Sequence, residues 1–117
     1  MNRPPRDPTD PVWRALANPW RRLILDLLRE SPKTSGQLVD ALGEDRFMVL
    51  AHLRVLRESD LVVTEARGRR RVNHLNAVPI QQIHSRWVSR FEGAWSEALL
   101  ALKRDAETNK QELSDVG

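Results

Sequence analysis

The sequence predicts a single small domain that is mainly α-helical, with five helices and one two-stranded β-hairpin. Its 117 residues, 40% of them apolar, are enough for one hydrophobic core and too few for two. Apolar residues recur at helical spacing in several segments that proline and glycine separate. Short β-branched runs flank Gly68 on both sides. These three observations define the fold class.

The composition excludes several classes of protein. The absence of cysteine excludes a disulfide framework, a thiolate zinc site and a cysteine nucleophile. No apolar run approaches the roughly 18 residues that a membrane span needs, and the N-terminus is polar and proline-rich, unlike a signal peptide. We therefore expect a cytoplasmic protein.

The two ends of the chain differ from its middle. Residues 1–10 are rich in proline and charge and can bury little apolar surface, so we expect a flexible arm. Residues 106–117 are polar without an apolar period, so we expect a flexible tail. The folded domain is predicted over residues 11–105.

Two helices are predicted at the start of this domain. Asp10-Pro11 provides an N-cap followed by proline at the first helical position, which opens a short helix through Leu16. Asn18-Pro19 repeats the signal, and the second helix stops near Ser31-Pro32. Its apolar stripe consists of Trp20, Leu23, Ile24, Leu27 and Leu28.

Two further helices follow in close succession. Thr34 and Gln37 have the spacing of a capping box, and the third helix ends at Gly43. Asp45 can cap a fourth helix over residues 46–58. Its inward-facing residues are Val49, Leu53 and Leu56.

A hairpin with a basic tip comes next. The runs 61–64 and 72–75 flank Arg67-Gly68-Arg69, where glycine permits the turn. The overall net charge of +3 is too small to indicate a nucleic-acid partner, but residues 64–72 alone carry four arginines against one glutamate. We call this hairpin, residues 61–75, the wing.

The last predicted helix is longer than a small domain can cover. Apolar residues keep one helical face from Ile80 to Leu102, a length of about 33 Å. Such spare apolar surface predicts a partner, most simply a second copy of the chain. On this helix the predicted dimer-interface residues are Ile83, Trp87, Phe91, Trp95, Leu99 and Leu102.

Two short helices joined by a tight turn and followed by a basic hairpin are the order of a winged helix-turn-helix. The fourth helix would present its outer face to the DNA major groove, while the wing reaches phosphates or the minor groove. Phe47 and Leu50 either contact thymine methyls or pack against the third helix or a second protomer. The predicted DNA-binding residues are Thr34, Ser35, Arg46, Phe47, Leu50, Ala51, Arg54, Arg67, Arg69, Arg70 and Arg71.

Three phrases of the sequence are similar to a known family. Residues 15–25 (ALANPWRRLIL), residues 52–58 (HLRVLRE), and Leu61-Val62 leading into residues 68–71 (GRRR) resemble the ArsR family of winged-helix repressors, in order and spacing from Pro11 to Leu102. The resemblance implies a homodimeric repressor that pairs through its first and last helices and binds an inverted-repeat operator. On the first helix, the dimer-interface residues that it implies are Trp13 and Leu16. In some members an effector releases the DNA.

The chain departs from the metal-sensing members of that family. At the positions of their cysteines it has Thr34, Gly36 and Val39, and its last helix offers His84 without the paired histidine expected there. One imidazole does not hold a metal tightly, so we expect neither a metal site nor a cofactor. Large residues at 46–50, where many members have small polar ones, leave the operator sequence open.

Two alternatives to a metal-independent repressor remain. The chain could respond to an unrecognised metal or small-molecule effector, with an apolar cavity near the aromatic residues as the place for it. It could also be a winged-helix interaction module whose long aromatic helix docks another protein. An enzyme is not expected, because the sequence has no phosphate-binding glycine loop and no nucleophile with a plausible base.

Overall fold

The computed structural model describes residues 2–88 and 92–116. Within these residues it contains six helices and a three-stranded antiparallel sheet of order β1-β3-β2. The elements are α1 (Asp10–Leu16), α2 (Pro19–Glu30), β1 (Lys33–Thr34), α3 (Ser35–Leu42), α4 (Arg46–Glu58), β2 (Val62–Arg67), β3 (Arg70–Leu75), α5 (Val78–Trp87) and α6 (Glu92–Val116). The mainly α-helical winged fold is confirmed, with one helix and one strand more than predicted.

Hydrogen bonds with capping side chains stabilise the starts of α2 and α3. Asn18 Oδ1 accepts from the backbone N–H groups of Trp20 and Arg21 at 2.9 and 3.3 Å, which starts α2. Thr34 and Gln37 form the predicted capping box at the start of α3. The N-cap of α1 is Thr9 rather than Asp10, so that prediction was wrong by one residue.

The end of α4 has a geometry that needs a left-handed residue. Leu61 N–H donates to the Leu56 carbonyl at 2.9 Å and Asp60 N–H donates to the Arg57 carbonyl at 3.0 Å, which is a Schellman motif. Asp60 adopts a φ of 63°, a conformation in which glycine is usual. Leu56 and Leu61 are both fully buried, so this turn joins α4 to the wing through the core.

The core lies among helices α1, α2, α3 and α4 and the part of the wing next to them. We call that part, which contains Val62 and Asn73, the root of the wing. The predicted inward residues Val49, Leu53 and Leu56 are all completely buried. Ile24 and Leu38 join them from α2 and α3, again with no exposed surface. Because one face of α4 packs entirely on this core, its opposite face is accessible to solvent or to a ligand.

The sheet consists of the wing and one short edge strand. β2 and β3 pair from Val62 opposite Leu75 to Arg67 opposite Arg70. Gly68 has a φ of 59°, as the first loop position of a tight hairpin turn requires. The third strand, β1, pairs with β3 through Lys33 opposite Asn73 and was not predicted.

The C-terminal part of the chain differs from the single long helix that was predicted. α5 ends at Trp87 and α6 begins at Glu92, so the apolar face from Ile80 to Leu102 belongs to two helices. α6 continues through Val116, so the segment expected as a tail is helical over most of its length. The chain divides into two compact units, Met1–Ile83 and His84–Gly117. No helix in the described ranges is both long and apolar enough to cross a membrane.

Candidate nucleic-acid interface

A cleft of about 750 Å³ opens between the N-terminus of α3, one side of α4 and the start of β3. It brings together seven of the predicted DNA-binding residues from three separate elements. We call it the arginine cleft. Its lining residues are Thr34, Ser35, Gly36, Gln37, Asp40, Arg46, Leu50, Arg57, Arg69, Arg70 and Arg71.

The arginine cleft is strongly basic. Five arginines and one aspartate line it, and Arg46, Arg69, Arg70 and Arg71 are exposed. Arg57 was not predicted as a site residue, although its position on α4 places it near the same angle around the helix as Arg46. A concave surface with this charge focuses a positive potential outward, so it suits a polyanion.

The α3 end of the cleft is built from hydrogen bonds among short side chains. Thr34 Oγ1 accepts from Gln37 N–H at 3.1 Å, and Gln37 Oε1 accepts from Thr34 N–H at 2.8 Å. These bonds leave the Thr34 hydroxyl hydrogen and the Gln37 amide N–H groups able to donate. The helix N-terminus adds a partial positive charge, so this end of the cleft also favours an anion.

Ser35 contributes mainly to the framework of the cleft. It is 7% exposed, and its Oγ accepts from Asn73 Nδ2 at 3.1 Å. Asn73 is completely buried on β3, donates to the Lys33 carbonyl at 3.3 Å and accepts from Thr64 Oγ1 at 2.8 Å. Sequence reasoning did not find Asn73, because a lone asparagine in a strand has no local signal. It holds the start of α3 against the root of the wing.

The outward face of α4 carries the remaining predicted helix residues. Phe47 is 80% exposed, and Ala51 and Arg54 are exposed beside it. Leu50 differs, because it is partly buried against the core while lining the cleft. Leu50 therefore packs in part on the core of its own chain, whereas Phe47 stays exposed on the outward face.

Two of the predicted arginines form ion pairs within their own element. Arg54 Nε lies 3.1 Å from Glu58 Oε1, one turn along α4. Arg67 Nε pairs with Glu65 on β2. Neither residue lines the arginine cleft. Both pairs are solvent-exposed and therefore weak, so neither prevents a guanidinium from turning toward a phosphate.

His52 contacts the α1–α2 side of the core. Its Nδ1 lies 3.4 Å from a terminal nitrogen of Arg21. Arg21 also donates to the carbonyls of Ala15 and Arg14, each at 2.9 Å. Burial, and secondarily the positive charge of Arg21, lower the pKa of His52 below 6.5. Because arginine only donates, Nδ1 must accept, which supports a structural role for His52.

The predicted dimer residues lie in several environments. Leu16 and Ile83 are partly buried and pack against the core of their own chain. Trp13 and Trp87 are 46% and 48% exposed. Leu99 and Leu102 are more than half exposed on α6. Phe91 and the side chain of Trp95 lie outside the described residues.

The described residues contain no group of three or more His, Cys, Asp or Glu side chains placed to hold a metal ion. His74 Nε2 lies 3.7 Å from Glu65 Oε2, and this pair has no third such neighbour within the described ranges. The residues of the arginine cleft are cationic or neutral, with the exception of Asp40. The cleft therefore suits an anion rather than a cation.

Comparison with known proteins identifies the family to which this chain is related. The sequence model of the bacterial regulatory proteins of the arsR family matches residues 18–64. The HTH-type transcriptional regulator Rv2034 of Mycobacterium tuberculosis is 34% identical over 90 residues, which cover 77% of this chain and 80% of the relative. The HTH-type transcriptional repressor SmtB of the same species is 41% identical over 69 residues, covering 56% of this chain and about half, 51%, of SmtB.

A solved structure has the same fold. The crystal structure of the ArsR family transcriptional regulator RHA00566 superimposes with a TM-score of 0.66 at 23% identity, covering 77% of this chain and 98% of that one. The match to the family spans α2 to the start of β2, which includes the α3 and α4 sides of the arginine cleft. The chain therefore belongs to the ArsR family and is a winged-helix transcriptional regulator.

Proposed function

We propose that the protein is a homodimeric repressor that binds an inverted-repeat DNA operator without a cysteine metal sensor. The observation that carries this proposal is the arginine cleft, in which α3, α4 and the wing converge on one basic surface. A DNA-binding regulator works where the chromosome is, so a cytoplasmic location belongs to the same proposal.

Each side of this surface has a distinct part in binding. The outward face of α4 enters the major groove, where Arg46 and Arg54 reach phosphates or base edges. Thr34 and Gln37 donate to a phosphate at the start of α3. Arg69, Arg70 and Arg71 contact phosphates of the neighbouring DNA backbone, and they supply most of the salt-dependent part of the affinity.

A homodimer accounts for the apolar residues outside the core. Trp13 on α1 and Leu99 and Leu102 on α6 keep large exposed apolar surfaces. Pairing of two copies would cover such surfaces and place two α4 helices about 34 Å apart, one turn of DNA. Repression, rather than activation, is supported by two relatives, SmtB and SdpR of Bacillus subtilis, that are named as repressors.

The test is the salt dependence of DNA binding in a wing variant. Replacing Arg69 and Arg70 by Ala should weaken binding to operator and to random DNA alike. If each arginine neutralises one phosphate, the slope of log affinity against log salt should fall by about 1.8 per protomer. Operator binding is measured by fluorescence anisotropy between low and moderate salt.

A charge-matched control separates local contacts from overall charge. Arg14 and Arg29 are exposed on α1 and α2 and do not line the cleft, so replacing both by Ala removes the same charge. The control should change the slope little. An unchanged slope in the Arg69 and Arg70 variant would reject the assignment of the wing. A monomer in sedimentation that is indifferent to DNA would favour the interaction module instead.

A further inference from the structure

Phe47 is the most exposed large apolar side chain among the described residues, at 80%. It is the second residue of α4, in the turn that a recognition helix brings nearest to base edges. Exposing an aromatic ring of this size to water is unfavourable, so a residue in this position invites a ligand surface that the ring can cover.

Phe47 does not belong to the hydrophobic core of its own chain. At about 100° per residue, Phe47 lies roughly 160° around α4 from Val49, which is completely buried. Leu50 points toward the cleft and packs partly on the core, which Phe47 does not reach. Of the alternatives left open by the sequence, packing of Phe47 against α3 is excluded by its exposure, whereas contact with thymine methyls and contact with a second protomer both agree with it.

Two arginines of α4 lie on the same side of the helix as Phe47 and favour DNA as its ligand. Arg46 precedes it and lines the arginine cleft, and Arg54 is exposed on the same outward face. If those two side chains engage phosphates or bases, the Phe47 ring is held near the floor of the major groove. The thymine C5-methyl is the apolar group that the base pairs present there.

We propose that Phe47 selects thymine at one position of each operator half-site by packing its ring against the C5-methyl group. This inference rests on the proposed function and specifies what the recognition surface reads. Discrimination has two sources. A thymine methyl gains a contact, whereas the amino group of cytosine or adenine beneath the ring would lose its water without gaining an acceptor.

The experiment replaces thymine by uracil, a change that removes only the methyl group. An operator is first selected from random DNA with the wild-type protein, and each thymine is then replaced in turn. One position per half-site should weaken wild-type binding about fourfold for each methyl lost. In Phe47→Ala the same replacement should have no effect, because the partner of the methyl is already gone.

Two further variants keep the test sharp. Phe47→Leu retains an apolar side chain and should keep part of the uracil sensitivity. Leu23→Ala removes an apolar side chain that is 46% exposed on α2 and should keep all of it. Since Phe47 is 80% exposed, both of its variants should fold as the wild-type protein does.

The outcomes separate this inference from the function on which it rests. If wild-type binding is insensitive to uracil at every thymine, or if Phe47→Ala retains the full sensitivity, the role of Phe47 is overturned while DNA binding stands. If the wild-type protein selects no DNA sequence at all, the proposed function itself fails, and this inference fails with it.

Discussion

Replacing Asn73 by Ala should destabilise the protein by about 3 kcal/mol. The side chain is completely buried and makes three hydrogen bonds, to Ser35 Oγ, the Lys33 carbonyl and Thr64 Oγ1. Each such bond contributes about 1 kcal/mol net, and partners left unsatisfied in a buried place add to the loss. Against a typical total of about 5–15 kcal/mol, this is a large fraction of the free energy of unfolding.

Urea unfolding followed by tryptophan fluorescence measures the effect as a shift in midpoint at constant slope. Thr64→Val is the matched variant, since it removes one of the three bonds at similar volume and should cost about 1 kcal/mol. The reasoning would be refuted if Asn73→Ala cost less than about 0.5 kcal/mol, the range of an ordinary surface change, or no more than Thr64→Val. Operator affinity, measured where the variant is still folded, should also fall, because Asn73 holds the start of α3.

Three smaller predictions concern single positions outside the wing. Thr34→Ala removes the acceptor of the capping box and should cost about 1 kcal/mol in urea unfolding, whereas Thr34→Ser should cost little. Asp60→Gly should raise the thermal midpoint, because a φ of 63° strains an L-residue, while Asp60→Val should lower it. The lowered pKa of His52 means that the folded state favours the neutral ring. Its contribution to stability is therefore complete above pH 6.5 and lost as the pH falls through the lowered value. The His52→Gln variant should show a smaller loss of stability between pH 7 and pH 5, and an identical pH profile would contradict the lowered pKa that burial and the charge of Arg21 give His52.

The starts of α2 and α3 could be predicted from the sequence because their signals are local. Asn18 and the pair of Thr34 and Gln37 act on backbone groups two or three residues away, so the spacing alone identifies them. The inward face of α4 was equally accessible, since helical periodicity places Val49 and its companions together. The same periodicity correctly left Phe47 outside the core.

The misses share a dependence on distant parts of the chain. β1 is only two residues long and exists because β3 offers it an edge to pair with. Asn73 acquires its partners only when strands and α3 meet. The end of α5 at Trp87 was missed because apolar residues continue at helical spacing beyond it. Such spacing does not show where one helix ends and the next begins. Arg57 is an exception, because helical periodicity already places it near the same angle as Arg46 on α4.

Asn73 connects β3 to α3 by a hydrogen bond, only a few residues from the arginines at the start of β3. The tip and the root of the wing therefore have different roles and can be changed independently. The tip, residues 66–71, makes a tight turn at Gly68 and contributes only exposed side chains. The root contributes the completely buried Asn73 and, at 2% exposure, Val62. Tips from other members of the family could therefore be grafted between Glu65 and Val72 to tune non-specific DNA affinity, while α4 keeps its own reading of the operator.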